Sequence, residues 1–204
     1  MLLLIASTNP GKIREFRQML APAMGDIQFT DLAQYPHAKS VEETGQTFLA
    51  NACLKASGYA RQLGTWSLAD DSGLAVDALG GKPGVFSARW ASMHQRGEGD
   101  LPNNDLLLEQ IQAIPPERRT ARFVCSLALA DPTGRVILTA SDSVEGEILR
   151  ESRGVGGFGY DPLFFVRSLG KTTAELPPQE KNRISHRGKA LVRLAALMRR
   201  TSLR

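Results

Sequence analysis

The stretch Thr120 to Ala130 reads as a strand with no wet face. Phe123, Cys125, Leu127 and Leu129 alternate with Val124, Ser126, Ala128 and Ala130, so both sides of the pleat are mostly apolar or small. Such a strand has to be covered on both faces, which predicts a central position in a sheet flanked by helices. A second β run, Arg135 to Ser143, follows across Asp131-Pro132-Thr133-Gly134, a connection with the composition of a hairpin turn. Ahead of this pair, strand-like and helix-like patterns alternate. That order predicts a mixed α/β sheet and not a purely parallel one.

The remaining elements are read from periodicity. Residues 2–6 form a buried strand, followed by a Ser-Thr-Asn-Pro-Gly loop and a helix from about Lys12 to Leu20. A second strand covers 27–30. Thr44 to Leu63 reads as a helix with Thr44 as its cap and Gly64 as its stop. Trp66 to Ala69 reads as a short strand that ends in a turn at Ser72-Gly73. Residues 92–102 read as a mobile polar loop. Asn103 or Asn104 is then expected to cap a helix running through Ile114, where Pro115-Pro116 stops it. Val144 to Leu149 extends the sheet, and Leu163 to Val166 is a further apolar run. A last helix runs from His186 to Arg200 with Ser185 as its cap and Leu191, Leu194 and Met198 in a stripe.

At 204 residues the chain suits one domain, or one domain with two lobes. Cys53 and Cys125 stand far apart without a Cys-x-x-Cys partner, which predicts free thiols rather than a disulfide or zinc framework. The start, Met1 to Ala6, lacks the basic region of a signal peptide, and no stretch of about 20 apolar residues is long enough to span a membrane. A cytoplasmic protein without a membrane partner is the expectation. The net charge of +4 is unevenly spread: residues 181–204 hold eight Lys or Arg and no acid. A basic tail suits nucleic acid, or one phosphate-binding wall with a helix C-terminus that favours cations. Its basic residues are not interleaved with aromatics, so no nucleic-acid partner is expected.

Four segments carry chemistry. Ser7-Thr8-Asn9-Pro10-Gly11-Lys12, between a strand and a helix, offers backbone N–H groups, hydroxyls and an ammonium for an anion. It is not a Walker A loop, since Ala6 and Ile13 stand where Gly and Ser/Thr are required. A plain strand-to-helix turn is its bland alternative. Asp70-Asp71, on adjacent strand positions, point to opposite faces, so one can face a cleft while the other is held by neighbours. Glu42-Glu43, ahead of a helix, either favour its dipole or join Asp71 around a Mg²⁺ ion, which takes one or two carboxylates plus substrate phosphates. Gly156-Gly157-Phe158-Gly159-Tyr160-Asp161-Pro162 lets backbone approach a ligand and offers aromatic rings for stacking. Lys181 to Arg187 gathers donors at the opening of the last helix. Together these describe a nucleoside triphosphate site outside the P-loop class.

The same residues carry a family resemblance. Ser7-Thr8-Asn9 with Gly11-Lys12, Glu42 to Gly45, Phe48 with Asn51-Ala52 and Lys55-Ala56, and Ala69 to Leu74 resemble the inosine/xanthosine triphosphate pyrophosphatases. So do Pro83-Gly84, Ser87 to Arg89, Gly156 to Pro162, Glu180-Lys181 and Ile184 to Gly188, in family order along nearly the whole chain. The resemblance implies an α/β fold with a mixed twisted sheet, flanking helices and two lobes around a cleft. It implies Mg²⁺-dependent hydrolysis of ITP, dITP and XTP to the monophosphate and pyrophosphate, and a homodimer. Asp71 matches the general base and a metal residue, Glu43 the other metal residue with Glu42 still open. Ser7, Thr8, Asn9, Pro10, Gly11 and Lys12 match phosphate-holding positions, with Lys55 and Ser72 beside the substrate. Phe158, Gly159, Tyr160, Asp161, Lys181, His186 and Arg187 match nucleotide-holding positions. A pyrophosphatase for modified pyrimidines and a nucleic-acid-binding module are the rival readings.

Overall fold

The computed structural model describes residues 1–21 and 27–201. Seven strands form one mixed sheet: β1 (Leu2–Ile5), β2 (Gln28–Asp31), β3 (Trp66–Val76), β4 (Thr120–Ala130), β5 (Val136–Ile148), β6 (Phe164–Val166) and β7 (Lys171–Thr172). The order across the sheet is β2-β1-β3-β4-β5-β6-β7, so the strand apolar on both faces is central, as its pattern requires. β1 runs parallel to both β2 and β3, while β6 is antiparallel to both β5 and β7. The helices are α1 (Pro10–Leu20), α2 (Phe48–Leu63), α3 (Trp90–Met93), α4 (Asp100–Ile111), α5 (Pro178–Ile184) and α6 (His186–Arg200).

The chain divides into two compact units. The first comprises Met1–Asp71, Cys125–Asp142 and His186–Arg204. In it the strands carry a core on each face. Leu3, Ile5, Leu68, Cys125, Leu127 and Leu129 meet Phe16 and Leu20 of α1 and Leu191, Leu194 and Met198 of α6. Leu4, Ala69, Ala128 and Ala130, one step out of phase, meet Ala52, Ala56, Tyr59 and Ala60 of α2. The small side chains on this second face let α2 lie close to the sheet. The second unit comprises Ser72–Val124 and Ser143–Ser185. Its core joins Leu74 and Val76 of β3, Phe123 of β4, Ile148 of β5 and Phe164 of β6 to Leu107 and Ile111 of α4.

Several boundaries differ from the sequence reading, each for a local reason. β3 does not turn at Ser72-Gly73 but continues to Val76. Gly73 is there for close approach, because a β-carbon would collide with Ser87 Oγ and lie 2.6 Å from the Gly84 carbonyl. α1 begins at Pro10, not Lys12: Pro at the first turn needs no N–H partner, and Asn9 Oδ1 accepts from the Lys12 N–H at 3.0 Å. α2 begins at Phe48 and its cap is Thr47, whose hydroxyl accepts from the Ala50 N–H. Thr44 lies in the preceding loop. Residues 90–93 and 100–111 are helical, and Asn103 and Asn104 sit buried inside α4 and not at its cap. Asn103 accepts from the Ala91 N–H and donates to the Ala88 carbonyl, holding α3 and α4 together. Lys181 to Ile184 end the separate helix α5 instead of opening α6, since Ser185 is extended at φ −68 and ψ 156. Cys125 is buried and Cys53 half-buried, both free thiols. Among the described residues, no helix is long and apolar enough to cross a membrane.

Candidate active site

β1 lies between two parallel neighbours, β2 and β3, reached by helices on opposite faces of the sheet: α1 leads to β2, and α2 leads to β3. At such a reversal of strand order, the space beyond the carboxyl ends of the strands is where open α/β sheets bind ligands. The last paired residue of β1 is Ile5, opposite Leu68. Beyond it β1 gives way to the Ser7–Lys12 loop, while β3 runs on through Asp70 and Asp71. Ser7 Oγ accepts from the Asn9 N–H, and Asn9 caps α1, so the loop is held by its own side chains with the helix N-terminus behind it. Thr8, Asn9 and Pro10 are exposed, Ser7 and Lys12 half-buried and Gly11 buried.

Because β3 stays extended, its two carboxylates face opposite ways, as strand alternation predicts. Asp70 is on the α1 and α6 side. Its Oδ2 accepts from Lys12 Nζ at 2.9 Å and from Arg187 Nη2 at 3.2 Å. Arg187 also donates to Glu15 through Nη1. Burial alone would raise the Asp70 carboxyl, but Lys12, Arg187 and Lys55 outweigh it and hold the group far below the ordinary carboxylate range. Asp71 is on the α2 side. Asn51 Nδ2 donates to its Oδ2 at 3.1 Å, and Lys55 Nζ lies 3.7 Å from its Oδ1. Its carboxyl is shifted the other way, upward, mainly by burial and further by Glu43, against the pull of Lys55 and Asn51. Two neighbouring acids thus differ in protonation behaviour by environment alone.

Lys55 Nζ is also 3.2 Å from Glu43 Oε1, so one ammonium stands between Glu43 and Asp71. Glu42 is exposed. Two hard carboxylates converging on one positive group are a donor set suited to Mg²⁺. Among the described residues, no three His, Cys, Asp or Glu side chains gather as a protein-only metal cage. An ion at Glu43 and Asp71 would take its other ligands from phosphate and water. Asn51 was not singled out for a role in the sequence. It is fully buried, gives its amide N–H to Asp71 and accepts the Gly45 N–H at 2.7 Å. That second bond folds the Glu43–Gly45 segment back onto α2, which is why the helix starts late. The available signal was an amide within an apolar helical stripe, a group that must find partners when buried.

In the second unit a separate cluster forms around Asp161. Its Oδ2 accepts from the Phe158 N–H at 2.8 Å and from Lys181 Nζ at 2.6 Å, and its Oδ1 accepts from Thr173 Oγ1 at 2.8 Å. Lys181 Nζ also lies 4.8 Å from the centre of the Phe158 ring, a cation–π contact. The Gly159 N–H donates to Asp100 Oδ2, and Tyr160 OH donates to the Ser87 carbonyl. The glycine-rich loop is therefore tied down at Phe158, Gly159 and Tyr160, with the Phe158 ring half-buried. His186 begins α6 in the first unit and is buried beside Arg187. The Arg187 guanidinium lies behind Asp70, with its side chain 2% exposed.

A family model matches residues 3–197 and is described as Ham1 family. The chain belongs to the Ham1 family. Curated relatives named dITP/XTP pyrophosphatase include one from Desulforamulus reducens, 48% identical over 98% of this chain and 96% of its own length, and one from Exiguobacterium sibiricum, 48% identical over 97% of each. Among solved structures, a HAM1 protein from Coxiella burnetii superposes with a TM-score of 0.87 at 40% identity, covering 98% of this chain and all of that one. A protein from Mycobacterium abscessus titled nucleoside-triphosphatase / dITP/XTP pyrophosphatase gives 0.75 at 43% identity, covering 95% and 98%. The mixed sheet with flanking helices is that of this Ham1 chain's structural neighbours.

Proposed function

We propose that this Ham1-family chain is a nucleoside triphosphate pyrophosphatase for non-standard purine nucleotides (ITP, dITP and XTP). It cleaves the anhydride between the α- and β-phosphates to give the monophosphate and pyrophosphate. The observation that carries the reading is the split pair on β3. Asp70 is neutralised by Lys12 and Arg187, while Asp71 faces Lys55, Glu43 and Asn51 with its carboxyl raised by burial. The names of the relatives support the same substrate class.

Each residue has a role in this reading. Ser7, Thr8, Asn9, Pro10, Gly11 and Lys12 form the phosphate-holding loop at the start of α1, with hydroxyls, the helix N-terminus and the Lys12 ammonium as its donors. Lys55 and Ser72 flank the scissile group. Asp71 orients the attacking water and takes its proton as the new phosphorus–oxygen bond forms and pyrophosphate leaves. Glu43 and Asp71 would hold Mg²⁺, which when bound supplies charge neutralisation on the phosphate oxygens. Phe158 stacks on the base over a ring already backed by Lys181, and Asp161 keeps both in place. Gly159 and Tyr160 shape that loop. The Phe158 and Gly159 N–H groups are committed to Asp161 and Asp100, so reading of the 6-oxo group falls chiefly to His186. A buried donor that meets a 6-amino group instead is left unpaired, a mismatch able to reject adenine by up to about 10⁴-fold. In this reading the protein acts as a homodimer in the cytoplasm.

The test is a substrate panel of ITP, dITP, XTP, GTP, ATP and dUTP with and without Mg²⁺, with pyrophosphate assayed apart from orthophosphate. Pyrophosphate from the 6-oxo purines, dependent on Mg²⁺, is the expected result. Orthophosphate as the direct product, or a preference for dUTP, would overturn it.

A further inference from the structure

We infer that Asp100 and Asn104 of α4 are positioning residues for the base: together they set the backbone of Gly159, and so the stance of the Phe158 ring on which the base stacks. This rests on the reading that the Phe158 loop receives the base. The two side chains stand four residues apart on α4, hence on one face of it. Asp100 Oδ2 accepts from the Gly159 N–H at 2.6 Å, and Asn104 Nδ2 donates to the Gly159 carbonyl at 3.0 Å. The N–H belongs to the peptide plane before the Gly159 α-carbon, and the carbonyl belongs to the plane after it. Holding both planes fixes φ and ψ of that one residue. Gly159 needs such a grip: it stands at φ +63 with open space where a β-carbon would be, so it has the widest choice of conformations and no side chain to narrow it.

Asn104 is present at some expense to stability. It is buried, 7% exposed, and its Oδ1 takes no hydrogen bond among the described residues. A leucine at this place would bury no polar atom and would suit the helix better. The amide is accounted for by the one bond it makes, to Gly159. Asp100 lies in the first turn of α4, where a carboxylate in solvent already suits the helix dipole, yet its Oδ2 is turned to the loop. The helix beneath is well anchored. Leu107 and Ile111 lie in the core of the second unit, Asn103 ties α4 to Ala88 and Ala91, and Trp90 Nε1 donates to Gln110 Oε1 at 2.9 Å. On one side of Gly159 the Phe158 N–H is held by Asp161, and on the other Tyr160 OH is held by the Ser87 carbonyl. The Gly159 torsions are the freedom left between these two fixed points, and α4 removes it.

The experiment sets inosine monophosphate, which carries a base, against inorganic tripolyphosphate, which carries none. Binding of each to the full chain with Mg²⁺ is measured by calorimetry for wild type, Asn104→Leu, Asp100→Ala and Asp100→Asn, with thermal melts to follow folding. Asn104→Leu is expected to weaken inosine monophosphate ~5–50-fold, part of what base stacking contributes, and to leave tripolyphosphate at the wild-type affinity. It should melt near wild type, because the orphaned oxygen goes together with the bond. With ITP as substrate, KM should rise by a similar factor while kcat stays level, the mark of lost uniform binding. Asp100→Ala, at the exposed end of the grip, should weaken inosine monophosphate about 3–10-fold, and it carries the test should Asn104→Leu not fold. Asp100→Asn keeps an oxygen for the Gly159 N–H and should stay within about 2-fold of wild type. Inosine monophosphate binding unchanged in both Asn104→Leu and Asp100→Ala would overturn the inference, as would a parallel loss of tripolyphosphate binding. Calorimetry needs no turnover, so a wild type that binds inosine monophosphate but releases no pyrophosphate from ITP sinks the function proposed above and not this inference.

Discussion

Asp70 and Asp71 differ first in the face of β3 on which they lie, and that is enough to give them opposite electrostatics. The alternation was legible in the sequence, and so was the expectation that one of the two is held by its neighbours. The partners were not. Arg187 and Glu15 are separated from Asp70 by long stretches of chain, and nothing local links them. Asn51 was visible only as an amide in an apolar stripe. Its two bonds, to the Gly45 N–H and to Asp71, make it the clasp between the Glu43 segment and the acid. Asn51→Ala leaves both partners without their buried bond. Denaturant unfolding should show a loss of about 1–3 kcal/mol. Steady-state kinetics should show kcat lowered about 10-fold or more, because Asp71 and Glu43 are no longer held in register.

At the scale of elements, periodicity located every strand but β7 and every helix but α3 and α5 among those described, and the misplaced boundaries share one cause. They were drawn at residues whose tertiary contacts override local preference. Ser72-Gly73 has turn composition, yet Gly73 sits in a strand because Ser87 and Gly84 press against it. Thr44 has cap chemistry, yet Asn51 takes the Gly45 N–H and the cap passes to Thr47. Lys181 to Ile184 share a basic run with α6, but the extended Ser185 divides them, so the donors finish one helix and begin another. α2 presents both Asn51 and Lys55, and its start is therefore part of the candidate site. Thr47→Ala should lower stability by about 0.5–2 kcal/mol through loss of the cap, measured by chemical denaturation, with a smaller effect on kcat than Asn51→Ala.

For the whole molecule, one clear signal is the doubly apolar β4, whose pattern predicts a central place and which stands fourth of seven. The basic tail is one feature in the sequence and several in the fold. Lys181 is committed to Asp161, Arg187 to Glu15 and Asp70, and Arg193 to Asp142, while Arg199 and Arg200 are exposed. Arg204 lies outside the described residues. A run of like charge in sequence says little about where each charge goes once helices turn it to different sides. The core also sets an alkaline limit on stability. Burial, aided by Asp70, pushes the Cys125 thiol up to about 12 from an ordinary 9.0. A group raised in the folded state contributes stability that is fully present below its unfolded value and is lost as pH rises through the folded one. Unfolding free energy should therefore decline between about pH 9 and 12, and Cys125→Ala should flatten that decline. The division of the β3 carboxylates is tested most directly by pyrophosphate release from dITP with saturating Mg²⁺ in Asp71→Asn, a variant that keeps size and removes the basic oxygen. The expected result is kcat lowered ~10²–10⁴-fold, the usual worth of a general base, in a protein that melts like wild type. Turnover at the wild-type rate in that variant would contradict it.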